Sequence, residues 1–444
     1  MNKIGMISLG CPKNQVDAEM MLSTLCEEGF EITGEVEGTD VVIINTCGFI
    51  GDAKKEAIDT ILEVCRLKEE GSVGAVVVTG CLAQRYKEEI MNEIPEVDAV
   101  VGIGGNSDIA SVCRDVIGSK KVNLFPPKLS LPLEGGRVLT TPGHYAYLKI
   151  AEGCSNCCTY CAIPKIRGKF RSRHIENIIA EAKSLAENGV KELIVVAQDT
   201  TKYGIDLYGE LKLAELLCEL CKIDGIRWIR TLYCYPESIT DELIDVIAGE
   251  DKICKYIDIP LQHCDGSVLE RMNRRGDRES LTALISKLRD RIPGIVIRTT
   301  FIVGFPGETE ENFESLCEFA DEMKFDRYGC FAYSAEEDTP AAVMENQIDE
   351  DVKTERAGIM NAQQQRIFED KLEALNGKEI TVIVDGFDED EMLYFGRSYM
   401  DAPEIDTVVI ISCEEELTAG QLVTGTVKGS LNGELIVEIM NEEL

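Results

Sequence analysis

Short apolar runs alternate with longer amphipathic stretches over residues 1–118. The apolar runs have the length of buried strands and lie at 4–9, 41–45, 75–79 and 99–102. The stretches between them repeat apolar residues at helical spacing and lie at 17–28, 53–68 and 85–93. Strands that alternate with helices predict a parallel sheet with crossover helices, and so an N-terminal α/β domain.

The pattern breaks after residue 118 and returns at residue 144. Residues 119–143 hold four prolines and a Gly-Gly pair, which predicts a linker. Over residues 144–375 helical stretches separate six strand candidates, at 145–150, 192–197, 228–233, 256–259, 296–303 and 328–333. Six βα units are fewer than the eight of a closed barrel, so the pattern predicts a partial (β/α)6 barrel.

Residues 376–444 have a different character. Short runs rich in Val, Ile and Thr are joined by turns, at 379–385, 406–411, 421–428 and 433–439. No helix-length pattern separates them, so this segment predicts a small antiparallel β-barrel.

Composition agrees with a folded, multidomain chain. The sequence has 444 residues, of which 44% are hydrophobic and 28% charged. The apolar runs are far shorter than the ~20 residues that cross a bilayer. The first ten residues have the pattern of a strand rather than a signal peptide. We therefore expect a cytoplasmic protein without a membrane partner.

The charge and the cysteine count narrow the class of function. A formal net charge of −35 argues against a broad nucleic-acid surface and is compatible with a basic protein partner, although solubility alone also explains it. A reducing compartment disfavours a disulfide framework, so 18 cysteines indicate metal or redox chemistry for some of them.

The strongest motif follows the first strand of the central segment. Cys154, Cys158 and Cys161 form C-x3-C-x2-C in one loop, a spacing that suits three irons of a 4Fe-4S cluster and leaves the fourth iron open. Cys154, Cys157 and Cys161 form a competing register. A structural zinc site is a further alternative, although zinc usually takes a fourth Cys or His nearby.

Three more cysteines stand at the ends of predicted parallel strands. Cys11, Cys47 and Cys81 each follow an apolar run and each has a glycine beside it. The carboxyl ends of parallel strands meet at the ligand crevice of an open sheet, so these thiols are candidates for a second cluster. Buried packing residues are the alternative.

The loop at 153–161 (GCSNCCTYC) resembles the radical S-adenosylmethionine (SAM) superfamily, including the aromatic Tyr160 before the last cysteine. The resemblance implies that the open iron binds SAM, which is cleaved to a deoxyadenosyl radical. It also implies SAM contacts from Tyr160, from Gln198, at a strand end, and from Gly304 and Glu308, in the segment FIVGFPGE at 301–308. A tight turn with an acid at a helix N-terminus is the alternative for that segment.

The whole chain is similar to the methylthiotransferase family of radical SAM enzymes. Cys11, Cys47 and Cys81 look like the ligands of that family's N-terminal domain, and the order of a radical SAM core and a TRAM barrel also matches. The segments GCPKN (10–14), TCGFI (46–50) and YIDIPLQH (256–263) are similar to the RimO type. The resemblance implies two 4Fe-4S clusters, with SAM as methyl donor and radical source, and a reducing electron donor.

For the RimO type, the implied reaction adds a methylthio group to the β-carbon of an aspartate in the small-subunit ribosomal protein S-twelve, free or on the ribosome. A methylthiotransferase acting on N6-modified adenosine of tRNA is the first alternative. The acidic C-terminal segment makes tRNA the less favoured partner. The second alternative is a non-enzymatic iron–sulfur electron-transfer or binding module. The sequence identifies no catalytic residue beyond the six cluster ligands.

Overall fold

A computed structural model describes residues 2–439, and its N-terminal region is a six-stranded parallel sheet with the strand order β2-β1-β3-β4-β5-β6. The strands are β1 (Lys3–Ser8), β2 (Glu31–Thr33), β3 (Thr39–Thr46), β4 (Val73–Gly80), β5 (Ala99–Val101) and β6 (Val122–Leu124). The helices are α1 (Pro12–Glu27), α2 (Gly51–Glu69), α3 (Cys81–Tyr86), α4 (Glu88–Glu93) and α5 (Ile109–Ile117). The helices bury apolar residues against both faces of the sheet, as the crossover pattern predicts.

Three details of this region differ from the sequence prediction. The sheet has two more strands, β2 and β6, and β6 lies inside the segment predicted as a linker, where it pairs with β5. Each has only three residues, too few to produce a recognisable apolar pattern. The helix predicted at 85–93 is two short helices, because Lys87 between them has a positive φ of 47°.

The central region is an open six-stranded parallel sheet whose strands follow the chain order β7-β10-β11-β12-β13-β14. All six predicted strands are present, so the partial barrel is confirmed. The strands are β7 (Tyr145–Lys149), β10 (Glu192–Val196), β11 (Trp228–Thr231), β12 (Ile253–Asp258), β13 (Val296–Val303) and β14 (Arg327–Ala332). A separate antiparallel pair, β8 (Ala151–Glu152) with β9 (Arg171–Ser172), flanks the cysteine loop.

Helices cover the outer face of this sheet and form the largest apolar core of the molecule. They are α7 (Ile175–Glu187), α8 (Leu213–Cys221), α9 (Asp241–Gly249), α10 (Gly266–Arg271), α11 (Arg278–Arg291), α12 (Glu310–Met323) and α13 (Glu350–Glu373). The short helix α6 (Ile163–Arg167) packs instead against Cys81 of the N-terminal region. No helix among residues 2–439 combines the length and the apolar character needed to cross a membrane.

The C-terminal region is a closed barrel of five strands. The strands are β15 (Glu379–Asp388), β16 (Leu393–Ser398), β17 (Val409–Ser412), β18 (Leu422–Leu431) and β19 (Glu434–Glu438). The predicted barrel is present, but two expectations were wrong. The strand β16 was missed, and the barrel is not wholly antiparallel, because β17 and β19 pair in parallel.

The inner face of the central sheet is covered by both other regions. Val16 and Met20 of α1 and Ile383 and Ala402 of the C-terminal region pack on it in one apolar cluster. Buried charges reinforce the contact with the barrel, where Arg397 donates to Glu192 at 2.6 Å and to Asp385 at 2.7 Å. The barrel therefore contacts the central sheet at Glu192, where β10 begins, whereas α1 contacts it at Lys149, where β7 ends.

Candidate active site

Three neighbouring strands of the N-terminal sheet end in cysteines. Cys11 precedes α1 after β1, Cys47 follows β3, and Cys81 begins α3 after β4. Because β1, β3 and β4 are adjacent and parallel, the three thiols lie at one edge of the sheet. A Cβ built on Gly10 would lie 3.1 Å from Cys47 Sγ, so the first two turns touch. Gly10 has φ +95°, and this close approach requires a glycine.

Charges from two regions act on these thiols. Burial opposes ionisation of Cys11, yet the cations Lys13 and Arg167 hold its pKa below the usual value. Burial raises the pKa of Cys81 to about 12, although Arg167 opposes this shift. Arg167 belongs to the central region, so the N-terminal cysteines draw part of their electrostatic environment from the neighbouring region.

The second set of cysteines lies in the loop after β8. Cys154 and Cys158 are buried and Cys161 is half-buried. Burial raises the pKa of Cys154 to about 11 and that of Cys161 to about 12, and Cys158 and Cys154 add to the shift of Cys161. Cys154 and Cys158 therefore lie close enough to Cys161 to affect its ionisation.

Cys157, the cysteine of the competing register, is placed differently. Its side chain is exposed and its φ is +55°. Its carbonyl accepts a hydrogen bond of 2.9 Å from Asn273 Nδ2, which fixes this unusual backbone conformation. The loop thus turns Cys157 outward while its three neighbours face the interior.

Both sets of cysteines suit iron–sulfur clusters by their chemistry. Their donors are thiols alone, which is the ligand type of iron–sulfur clusters. Among residues 2–439 no three His, Cys, Asp or Glu side chains converge on one point as ligands of a single ion do. The thiolates of a cluster each bind a different iron, so they are separated by the cluster rather than gathered around one ion.

The two sets of cysteines share a wall formed by residues 162–167. Cys81 packs against Ala162 and Ile166, which directly follow the second cysteine loop. Arg167, at the end of this segment, is fully buried and donates hydrogen bonds to Asn14 at 3.1 Å and to Asp17 at 2.8 Å. The segment that carries Cys161 therefore also contacts the first set of cysteines.

A Tyr-Cys-Tyr segment after β11 connects the two sets from another side. Lys13 Nζ lies 3.3 Å from the centroid of the Tyr233 ring. Two residues on, the hydroxyl of Tyr235 lies 3.6 Å from Cys158 Sγ. Arg274 stacks on the Tyr235 ring at 4.2 Å. Sequence reasoning gave none of these four residues a role, although Lys13 lies in the segment GCPKN (10–14). For the two tyrosines, only their position at the end of a barrel strand could have signalled a role.

The four predicted SAM contacts fall into two groups. Tyr160 and Gln198 lie beside the second cysteine loop. Tyr160 is half-buried, and burial together with the neighbouring Cys158 raises its pKa. Gln198 donates to Glu152 at 3.1 Å, while its Oε1 is buried without a partner in the described chain. Gly304 and Glu308 instead complete their own turn, where the Glu308 carboxylate accepts from the Gly304 amide at 3.0 Å. All four remain predictions.

Models of three protein families match successive parts of the chain. The uncharacterized protein family UPF0004 matches residues 3–102, the radical SAM superfamily matches residues 148–320, and the TRAM domain matches residues 377–440. A solved structure of the radical SAM methyltransferase TsrM from Kitasatospora setae, with cobalamin and a [4Fe-4S] cluster bound, has a TM-score of 0.59 at 14% identity over 77% of each chain. Together they define a protein built around a radical SAM core.

Curated relatives narrow the class. Proteins named ribosomal protein uS12 methylthiotransferase RimO match from Lachnoclostridium phytofermentans (50% identity, 98% of this chain and 99% of the relative) and Clostridioides difficile (49%, 100% of both). A third, from Caldanaerobacter subterraneus subsp. tengcongensis, is 51% identical over 99% of this chain and 100% of its own length. The chain belongs to the RimO family of ribosomal protein uS12 methylthiotransferases.

Proposed function

We propose that this protein transfers a methylthio group to the β-carbon of an aspartate in ribosomal protein uS12. The observation that carries the proposal is the shared wall of the two sets of cysteines, formed by residues 162–167. A reaction that uses SAM at one set and sulfur at the other needs both beside one substrate. The substrate is a ribosomal protein, so the reaction takes place in the cytoplasm.

Cys154, Cys158 and Cys161 would hold one 4Fe-4S cluster, and Cys11, Cys47 and Cys81 the other. When bound, the clusters supply one-electron reduction of SAM, fed by an external reductant, and a place for the sulfur that becomes the methylthio group. SAM serves both as methyl donor and as radical source.

Two residues of the chain would orient SAM. Gln198 offers a buried acceptor beside the second loop. Arg274 offers a buried donor, because its Nη1 has no partner in the described chain. The two suit the amino and carboxylate groups of SAM.

The charge of the barrel favours a basic protein over RNA. Residues 388–391 and 414–416 are acidic and exposed. Arg397 is buried in ion pairs, and Lys428 pairs with Glu438 at 2.7 Å. Such a surface repels phosphates and attracts a protein rich in Arg and Lys.

Methylthiolation assays with purified substrates test the proposal. The reconstituted enzyme, SAM and a reductant are incubated with uS12 and, separately, with tRNA. We expect the mass gain of one methylthio group on uS12 and none on tRNA. A mass gain on tRNA alone would reject the proposed substrate, and intact SAM under reduction would favour an electron-transfer module.

Iron analysis tests the number of clusters. We expect about eight irons per chain after anaerobic reconstitution, since each of two clusters carries four. Replacing Cys11, Cys47 and Cys81 together by alanine should reduce the content to about four. A parent chain that holds only four irons would contradict the two-cluster proposal.

A further inference from the structure

Buried cations in this protein almost always face an acid. Nine lysines and arginines of the described chain are buried, and seven of them lie within 4.0 Å of a carboxylate oxygen. The two that do not are Lys13 and Arg274. Burying a charge without a carboxylate partner is costly, so such residues are rare unless a ligand completes them. The acid that Lys13 does face is the Cys11 thiol, whose pKa it lowers.

Lys13 has fewer described hydrogen-bond partners than Arg274. Arg274 donates to the carbonyl of Pro260 at 2.7 Å, whereas the ammonium of Lys13 has the Tyr233 ring as its described contact, at 3.3 Å. Lys13 is only 6% exposed. Arg167, whose charge acts against that of Lys13, pairs with Asp17 and Glu152.

The position of Lys13 suggests a role for its charge. Lys13 follows Cys11 by two residues and contacts the Tyr233 ring. Tyr233 in turn precedes Tyr235 by two residues, and the Tyr235 hydroxyl lies near Cys158 Sγ. Lys13 therefore belongs to a series of contacts that links the two sets of cysteines, and the reacting carbon of a substrate must be held close to both sets. A carboxylate is the group that a buried ammonium binds with a charge-assisted hydrogen bond.

We propose that Lys13 binds the side-chain carboxylate of the aspartate to be modified and so makes the site specific for an acidic residue. This inference rests on the proposed function, which supplies the aspartate. The carboxylate is attached to the β-carbon, so an ammonium that holds it also fixes that carbon at the junction of the two sites. Lys13 acts as a specificity and positioning residue, and no bond to it forms or breaks.

Binding of two forms of uS12 tests the proposal. One form has the target aspartate, and the other has asparagine at that position, which keeps the shape and removes the charge. The reconstituted parent enzyme should bind the aspartate form about tenfold more tightly, the factor that corresponds to about 1.4 kcal/mol. Lys13→Met should bind both forms with dissociation constants within about twofold of each other.

Two further variants serve as controls. Lys13→Arg keeps the charge and should keep the preference for the aspartate form. Lys55→Met removes an exposed lysine of α2 in the same domain and should also keep it. Iron content and the electron paramagnetic resonance spectrum of Lys13→Met should match those of the parent.

Two results would overturn the inference. In the first, Lys13→Met still prefers the aspartate form by the parental factor. In the second, Lys13→Met binds both forms more weakly by the same factor, or it loses iron. Either result would mean that the charge of Lys13 stabilises the fold or a cluster rather than binding the carboxylate. If the parent enzyme itself neither binds nor modifies uS12, the proposed function has failed, and this result is distinct from the other two.

Discussion

Replacing Cys158 by alanine should abolish the reductive cleavage of SAM, whereas replacing Cys157 by alanine should leave it intact. The two residues are neighbours in sequence, but Cys158 is buried beside Tyr235 and Cys157 is exposed. A cluster with two protein ligands on this loop has lost the geometry that leaves a single iron open for SAM. Deoxyadenosine formation with excess dithionite measures the cleavage directly.

Cys157→Ala is a matched control, since it changes the same chemical group one position away. Cys158→Ala should also lose about four of eight irons, while Cys157→Ala should keep them. The reverse pattern, with cleavage lost in Cys157→Ala and kept in Cys158→Ala, would establish the competing register of Cys154, Cys157 and Cys161.

The order of the domains and their strands could be predicted because each relevant element is long enough to show a pattern. A buried parallel strand of five to eight residues, such as β4 or β13, appears as an apolar run. The strand β16 was missed because its segment LYFGRS contains a glycine and Arg397. That arginine is buried by its ion pairs with Glu192 and Asp385, which the local sequence does not reveal.

The site could be predicted only where its residues cluster in sequence or recur at strand ends. The six cysteines satisfy this condition, and the fold brings each set of three together. Lys13 and Tyr233 do not, because they lie in different regions and meet only when α1 packs on the inner face of the central sheet. The SAM contact of Glu308 remains a prediction from its motif, and the local sequence did not reveal that its carboxylate accepts hydrogen bonds from its own turn and from Arg356.

Replacing Arg167 by methionine should lower the free energy of unfolding by about 3–5 kcal/mol, the range for a buried ion pair that loses one partner. Its guanidinium donates to Asp17 at 2.8 Å and to Glu152 at 2.9 Å, and all three side chains are buried. Methionine fills much of the same volume but leaves both carboxylates with Lys149 as their remaining cation. Urea unfolding of the iron-free chain, followed by the fluorescence of the single tryptophan, Trp228, reports on this region.

A surface arginine with two acidic partners provides the control. Arg291 pairs with Asp241 and Asp245, but all three side chains are at least one-third exposed. Solvent screens such pairs, so Arg291→Met should change the free energy of unfolding far less than Arg167→Met does. Equal effects of the two substitutions would show that the burial of Arg167 contributes nothing to stability.

Arg167→Met should also change how the free energy of unfolding depends on pH. Burial alone would raise the pKa of Glu152, but Arg167 and Lys149 outweigh it and lower that pKa to about 2. A depressed carboxyl pKa contributes stability above the unfolded value of 4.5, which is lost as the pH falls from there toward 2. Without Arg167 the pKa of Glu152 rises, so Arg167→Met has less of this stability to lose, and the difference in the free energy of unfolding between the parent and Arg167→Met should narrow as the pH falls from 4.5 toward 2. If the parent and Arg167→Met lose stability in parallel over that interval, Arg167 does not set the ionisation of Glu152.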